Sequence, residues 1–275
     1  MNWEEAVKQL RHNATDAQVI LDNYFDEDIL ASAERFSNST EFNAVMKWMP
    51  PHAKTVLDIG AGRGIASYAF AKRNYIVSAL EPDSSNDIGA GAIRYISAAS
   101  GLPVHVVESF GETLPFNDCS FDVVYARQVL HHAAQLNQFC KEVFRVLKPG
   151  GVFIAVREHV ISRQSDLPLF LEKHPLHKLY GGENAFTLAQ YKDAISSSGM
   201  KLKKVLHPYA SEVNFAPLSQ SDIKMQFARS LAKLTGMQLA LSLVAIEPVF
   251  KVLCHIKSNF YNEPGRLYSF IAVKL

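Results

Sequence analysis

Cysteine is scarce in this chain of 275 residues, and the three present, Cys119, Cys140 and Cys254, lie far apart. An odd, scattered set offers neither a disulfide framework nor the paired spacing of a zinc site. It fits a reducing compartment, so the chain is expected to be cytoplasmic and to hold no metal. Long apolar runs are also missing. The longest, Met237 to Phe250, covers about 14 residues and is broken by Glu247 and Pro248, too short for the roughly 20 residues that cross a bilayer. The opening stretch MNWEEAVKQL has early acids and no apolar core, unlike a signal peptide. An excess of one charge is absent as well, since 28 Lys and Arg against 27 Asp and Glu leave +1. Proteins that live on phosphate contacts carry a clear basic excess or patch. Nucleic acid is therefore not the expected partner. What is there is an ordinary globular composition, 48% apolar and 20% charged, which excludes disordered and fibrous classes.

No internal repeat or low-complexity tract is visible. The first 50 or so residues read as helices, with Asn2 placed three before Glu5 and Thr15 three before Gln18 in the manner of capping boxes. A third helical stretch from about Thr40 is stopped by Pro50-Pro51. From Lys54 short β-branched runs alternate with amphipathic stretches, the pattern of a parallel sheet with crossover helices. Strands are predicted at Thr55–Ile59, Tyr75–Leu80, Val104–Val107, Phe121–Tyr125 and Val152–Val156, then at about Lys201–Tyr209 and Leu267–Val273. Leu136, Phe139, Cys140, Val143, Phe144 and Leu147 mark one helical face, and Thr187 with Gln190 opens a further helix that Gly199 closes. The expected organisation is an amino-terminal helical extension (1–53), a doubly wound α/β core (54–217), a helical insertion (218–264) and a last core strand (265–275).

The first strand runs into Asp58-Ile59-Gly60-Ala61-Gly62-Arg63-Gly64. Glycines at such a turn let the backbone approach a ligand, and the helix that follows offers free N–H donors. The dinucleotide fingerprint wants Gly or Ala three residues beyond Gly62, where this chain has Ile65, and the P-loop lysine is missing. Asp58 is an unhelpful charge beside a pyrophosphate but suits a ligand with an ammonium group. A nicotinamide cofactor is therefore the weaker alternative. Glu81 ends the second strand 21 residues after Gly60, where a carboxylate accepts from both hydroxyls of a ribose. Pro82 is placed to pack on a flat ring.

These residues carry a resemblance. The runs 58–64, Glu81-Pro82-Asp83, Gly111-Glu112-Thr113-Leu114-Pro115-Phe116, Ser120-Phe121-Asp122-Val123-Val124, Val129-Leu130-His131-His132 and Leu147-Lys148-Pro149-Gly150-Gly151 occur in order. The chain resembles the class I S-adenosylmethionine-dependent methyltransferases, in the subgroup of ubiquinone and menaquinone biosynthesis methylases. The match covers about residues 54–157, and more loosely to about 207. It implies a mostly parallel, seven-stranded Rossmann-like sheet and S-adenosylmethionine as cofactor. It also implies that Asp58, Gly60, Ala61 and Gly62 hold the methionine part and Glu81 the ribose. Pro82 and the turn Phe110, Gly111 and Glu112 would enclose the adenine, while Arg127 and Gln128 border the sulfonium mostly through backbone. The family often has an aspartate where this chain has Phe110. Phe110 is expected to pack on the ring instead, with Glu112 a candidate for the amino contact.

Ligands of such sheets bind beyond the carboxyl ends of the strands. That places His131 and His132, and then Arg157, Glu158 and His159, near the chemistry. The three histidines are candidate bases, since imidazole titrates near neutrality; capping or structural roles are the alternative. Glu158 reads as a loop acid, and Arg157 as its partner or as an anchor for an acidic substrate. His174-Pro175-Leu176-His177 and Tyr180-Gly181-Gly182-Glu183-Asn184-Ala185-Phe186 read as a connection beside the acceptor pocket or as a plain helix entry. The insertion, with Phe227, Met237, Leu241, Val244, Phe250 and Tyr261, reads as a lid, as ordinary packing or as a homodimer contact. The expected activity is methylation of a small molecule at oxygen or carbon. The rivals are a non-catalytic nucleoside-binding module and a methylase of a lipid or quinone at a membrane surface.

Overall fold

In the computed structural model, which describes residues 3–12 and 17–275, the chain is organised by one twisted sheet. Its strands are β1 (Thr55–Ile59), β2 (Ile76–Leu80), β3 (Val104–Val107), β4 (Phe121–Arg127), β5 (Leu147–Ile161), β6 (Phe186–Thr187), β7 (Met200–Leu206) and β8 (Arg266–Lys274). The spatial order is β3-β2-β1-β4-β5-β8-β7, with the two-residue β6 added beside β5. Strands β1 to β5 pair in parallel and β8 runs antiparallel to both neighbours. The seven predicted strands are all present. The order reverses between β1 and β4, the place beyond whose carboxyl ends ligands of such sheets bind.

Both faces of the sheet are covered, which is why the central strands are apolar almost throughout. Leu57, Val124 and Phe153 point to one face, under the helices Leu136–Val146 and Leu188–Ser197. Val56, Val123 and Ile154 point to the other, with Phe36, Phe42 and Phe70 of the helices Ile29–Ser37, Thr40–Met46 and Ile65–Lys72. The Thr187–Gln190 capping box is formed. The boxes read at Asn2 and Thr15 involve positions outside the described residues.

Three features differ from the expectations. β5 continues five residues beyond its predicted end, to Ile161, because Val160 and Ile161 pair with β6 and Val160 also with β8. Its pairing with β8 shifts register between Ala155 and Glu158, and Arg157 there has φ +62°. The segment read as loop or helix entry before Thr187 supplies β6. The insertion forms the helices Gln220–Thr235, Met237–Ala245 and Glu247–Phe260 and packs largely on itself. Phe250 meets Ile223, Cys254 and Phe215, and Val244 meets Ala228 and Ala240. No single helix among the described residues is long and apolar enough to cross a membrane; Met237–Ala245 and Glu247–Phe260 pass that test only together, and they bend by 96°.

The amino-terminal helices are locked to the sheet by a buried ion pair. Arg127 at the end of β4 donates from Nε to Glu41 Oε1 (2.6 Å) and from Nη2 to Glu41 Oε2 (3.1 Å). The glutamate is 1% exposed. Removing one member of such a pair leaves a buried charge without its partner, which costs about 3–5 kcal/mol. Glu41→Ala should therefore lower the free energy of unfolding measured in urea by an amount in that range. Glu41→Leu combined with Arg127→Met should recover most of the loss. A single-mutant change under about 1 kcal/mol would contradict the assignment.

Candidate active site

A cavity of about 560 Å³ lies beyond the carboxyl ends of β1, β2, β4 and β5. The residues expected at a nucleoside site converge there: Asp58, Gly60, Ala61, Gly62, Glu81, Pro82, Phe110, Gly111, Glu112, Arg127 and Gln128 all line it, as do His131, His132 and His159. The glycine loop owes its sequence to its neighbours. Gly60 has φ +62°, and a Cβ there would stand 2.6 Å from Val129 Cγ2. Only glycine lets β1 turn this close to the segment after β4.

Glu81 is 7% exposed and holds the loop in place. Its Oε2 accepts from the Gly62 N–H (2.7 Å) and its Oε1 from the Asp83 N–H (3.0 Å). A carboxylate has about four acceptor positions, so each oxygen keeps one for a ligand hydroxyl. Asp58 is buried and accepts from the Ser67 hydroxyl at 2.6 Å. Burial pushes both carboxyls up to about 7. Their sign follows directly. A raised carboxyl holds its proton in the folded protein over the window from its ordinary value to about 7, so it makes the ligand-free protein less stable as pH rises through that window. Binding of a ligand that presents an ammonium group and hydroxyls favours the ionised forms. S-adenosylhomocysteine affinity should therefore climb between about pH 5 and 7, by up to about tenfold per unit for each group, and level off above. Isothermal calorimetry over that range tests this, and a flat or falling profile would contradict it.

The adenine end differs from expectation in one respect. Phe110 is 67% exposed on the rim, available to a ring but held by little else. One oxygen of Glu112, Oε1, accepts from the Ala134 N–H (2.8 Å) and caps the approach to the helix Leu136–Val146. Gly111 is required here because a Cβ would lie 2.1 Å from Phe139 Cε2. Gln128 adopts φ +57° at the cavity wall.

At the opposite end four histidines and two glutamates gather. Glu158 is fully buried and accepts from the Val129 N–H (3.1 Å), the His131 N–H (3.1 Å) and His131 Nδ1 (2.8 Å). His131 Nε2 faces Glu183 Oε2 at 3.5 Å. Burial alone would depress His131, but hydrogen bonds to Glu158 and Glu183 raise it to about 9. It is thus a poor proton acceptor as it stands. His159 donates from Nδ1 to the Gly265 carbonyl (2.9 Å), and burial holds it neutral, well below the usual imidazole range. His132 donates from Nδ1 to the Gly182 carbonyl (3.0 Å), which leaves Nε2 as the acceptor, and its side chain is 38% exposed. His174 closes the group against His159 and Glu183.

Arg157 is a correction. The strained turn at φ +62° sends its side chain to the other face of the sheet, where Nη1 donates to the Ala216 (2.8 Å) and Val213 (3.1 Å) carbonyls and Nε lies 4.0 Å from Glu41. It neither pairs with Glu158 nor lines the cavity. The insertion is not part of the cavity wall. Phe227, Met237, Leu241, Val244, Phe250 and Tyr261 are not among the lining residues, whereas Trp3, Tyr24 and Phe25 of the amino-terminal extension are. Arg63 brings that extension in by donating to the Tyr24 carbonyl (2.6 Å) and the Asp87 carbonyl (2.9 Å). Arg11 also pairs with Asp87. No pattern in residues 1–53 pointed to this role.

Comparison with known proteins agrees with the geometry. A family model described as a methyltransferase domain matches residues 57–155. The uncharacterized methyltransferase YcgJ of Bacillus subtilis is 31% identical over 134 residues, covering 48% of this chain and 50% of that protein. The ubiquinone biosynthesis O-methyltransferase of Methylobacterium nodulans is 30% identical over 156 residues, 55% of this chain and 61% of that protein. The chain thus spans about half the length of the curated relatives it matches. Among solved structures, the geranyl diphosphate C-methyltransferase of Streptomyces coelicolor superposes with a TM-score of 0.61 at 13% identity, over 90% of this chain and 82% of that one. Residues 57–155 thus match the methyltransferase domain family, and the chain as a whole shares the fold of solved methyltransferases.

Proposed function

We propose that the protein transfers a methyl group from S-adenosylmethionine to a small acceptor, at oxygen or carbon. The observation that carries this reading is Glu81. One buried carboxylate fixes the glycine loop and the following turn through two backbone N–H groups while keeping acceptor capacity toward the cavity. The nucleoside fits this chain on that ground. Asp58 and the loop would hold the amino acid part, Glu81 the ribose, and Pro82 and Phe110 the adenine.

When bound, the cofactor would supply an electrophilic methyl group on a sulfonium that leaves as a neutral thioether. The protein's work is alignment and exclusion of water, plus removal of a proton where the acceptor is a hydroxyl or an acidic carbon. His132 Nε2 is the group for that proton: its ring is oriented by Gly182, partly exposed, and on the cavity wall. Trp3, Tyr24 and Phe25 narrow the opening from the amino-terminal side. The test is transfer of labelled methyl to a panel of phenols, enolisable carbonyls and amines. Product is expected with the first two classes. Binding of S-adenosylhomocysteine without transfer to any acceptor would favour a non-catalytic binding module.

A second reading, methylation of a lipid or quinone at a bilayer surface, is favoured by exposed apolar side chains on the insertion, among them Leu234 (89% exposed) and Phe260 (81% exposed). Co-sedimentation with anionic vesicles is expected under that reading, and its absence would remove it.

A further inference from the structure

We propose that His131, His159 and Glu183 form a divalent metal site of the zinc type at the acceptor end of the cavity, with an open position for an oxygen of the acceptor. One potential ligand atom from each residue lies within 4.8 Å of the others, and all three residues are buried. Around a tetrahedral ion with bonds near 2.0–2.1 Å, ligand atoms stand about 3.4 Å apart. His131 Nε2 and Glu183 Oε2, at 3.5 Å, already have that spacing. His159 offers a ring nitrogen within 4.8 Å of both.

The surroundings are those that orient metal-bound imidazoles. A ligating histidine donates its other ring N–H to a carboxylate or a carbonyl, which fixes the tautomer and aims the remaining lone pair. His131 does this to Glu158 and His159 to Gly265. Both Nε2 atoms are thereby assigned to the cavity side. His174 Nδ1 is buried without a hydrogen-bond partner and stands 3.9 Å from the other Glu183 oxygen, where it can hold the carboxylate in place. Two nitrogens and one carboxylate suit Zn²⁺ and its substitute Co²⁺ far better than Mg²⁺, which prefers an all-oxygen shell.

The site also absorbs the sequence run His174 to Glu183, which the nucleoside pocket does not use. Three protein ligands leave one position open, as in catalytic rather than structural zinc sites. The same cavity holds the donor site, so an acceptor oxygen at that position would lie in the same chamber as the transferred methyl. This assignment of the acceptor as an oxygen ligand rests on the methyltransferase reading; the metal site itself does not.

The experiment is titration of chelator-treated, full-length protein with Co²⁺, followed by visible absorption, with Zn²⁺ and Mg²⁺ as competitors. One Co²⁺ per chain, displaced by Zn²⁺ and untouched by excess Mg²⁺, is expected. Outer partners of metal ligands are worth about 10–100-fold in affinity. Glu158→Gln should fall in that range, and His159→Ala and Glu183→Gln should lose at least about a hundredfold. Circular dichroism establishes that each variant is folded, and Glu81→Ala should keep the Co²⁺ spectrum. Absence of a stoichiometric Co²⁺ signal in the wild type, or its survival in both folded ligand variants, would overturn the proposal. S-adenosylhomocysteine titration of the metal-free protein reports separately on the nucleoside site, so failure of one assignment is distinguishable from failure of the other.

Discussion

Glu81→Ala should weaken S-adenosylhomocysteine binding by about a hundredfold or more, the largest effect expected of any single substitution at the donor site. Hydrogen bonds to a charged group are worth about 1.5–3 kcal/mol each, and a ribose offers two hydroxyls. Loss of roughly 3 kcal/mol corresponds to about two orders of magnitude. The same substitution frees the Gly62 and Asp83 N–H groups, so the loop loses its clamp as well as its ligand contact. Glu81→Gln is informative because it preserves size. Its amide must turn an NH₂ toward one of those two backbone donors, so it should fall between the wild type and the alanine variant. Calorimetry gives the affinities, and an alanine variant within about threefold of wild type would remove Glu81 from the nucleoside site.

His132→Gln should separate chemistry from binding. Positioned general bases contribute about 10²–10⁴ in rate, so kcat should drop by at least about a hundredfold. S-adenosylhomocysteine affinity should stay within about threefold, since the histidine cluster lies at the acceptor end. His132 differs from its neighbours in the state of its ring. His131 is fixed between two carboxylates and His159 is 9% exposed, whereas His132 has a carbonyl-bound Nδ1 and a partly exposed ring. A kcat within about threefold of wild type would assign the proton to another group or leave it to solvent.

The sheet and the residues that meet around the glycine-loop end of the cavity were legible because they are local in sequence. The glycine loop follows directly on β1, Glu81 ends β2, and parallel strands buried on both faces announce themselves as apolar runs. Whatever depended on long-range direction was not legible. Arg157 and Glu158 are adjacent, yet the strained backbone at Arg157 sends one to Glu41 and leaves the other under His131. The pairing of Glu41 with Arg127 joins residues 86 apart. Glu183 reaches His131 across a loop whose sequence reads only as Gly-rich and polar. The same holds for the cover of the cavity. The insertion looked apolar enough for a lid, but its apolar residues are in part consumed by its own helix contacts. Aromatic residues of the amino-terminal extension take the cavity wall instead, drawn in by Arg63 and by the Asp87 carboxylate.

The most direct measurement is calorimetric titration of the wild-type protein with S-adenosylhomocysteine above pH 7, where the carboxyls of Asp58 and Glu81 are ionised. Saturable binding at one site per chain is the expected result. No binding by folded protein under those conditions would mean that the cavity between β1 and β4 is not a nucleoside site, and the methyltransferase reading would fall with it.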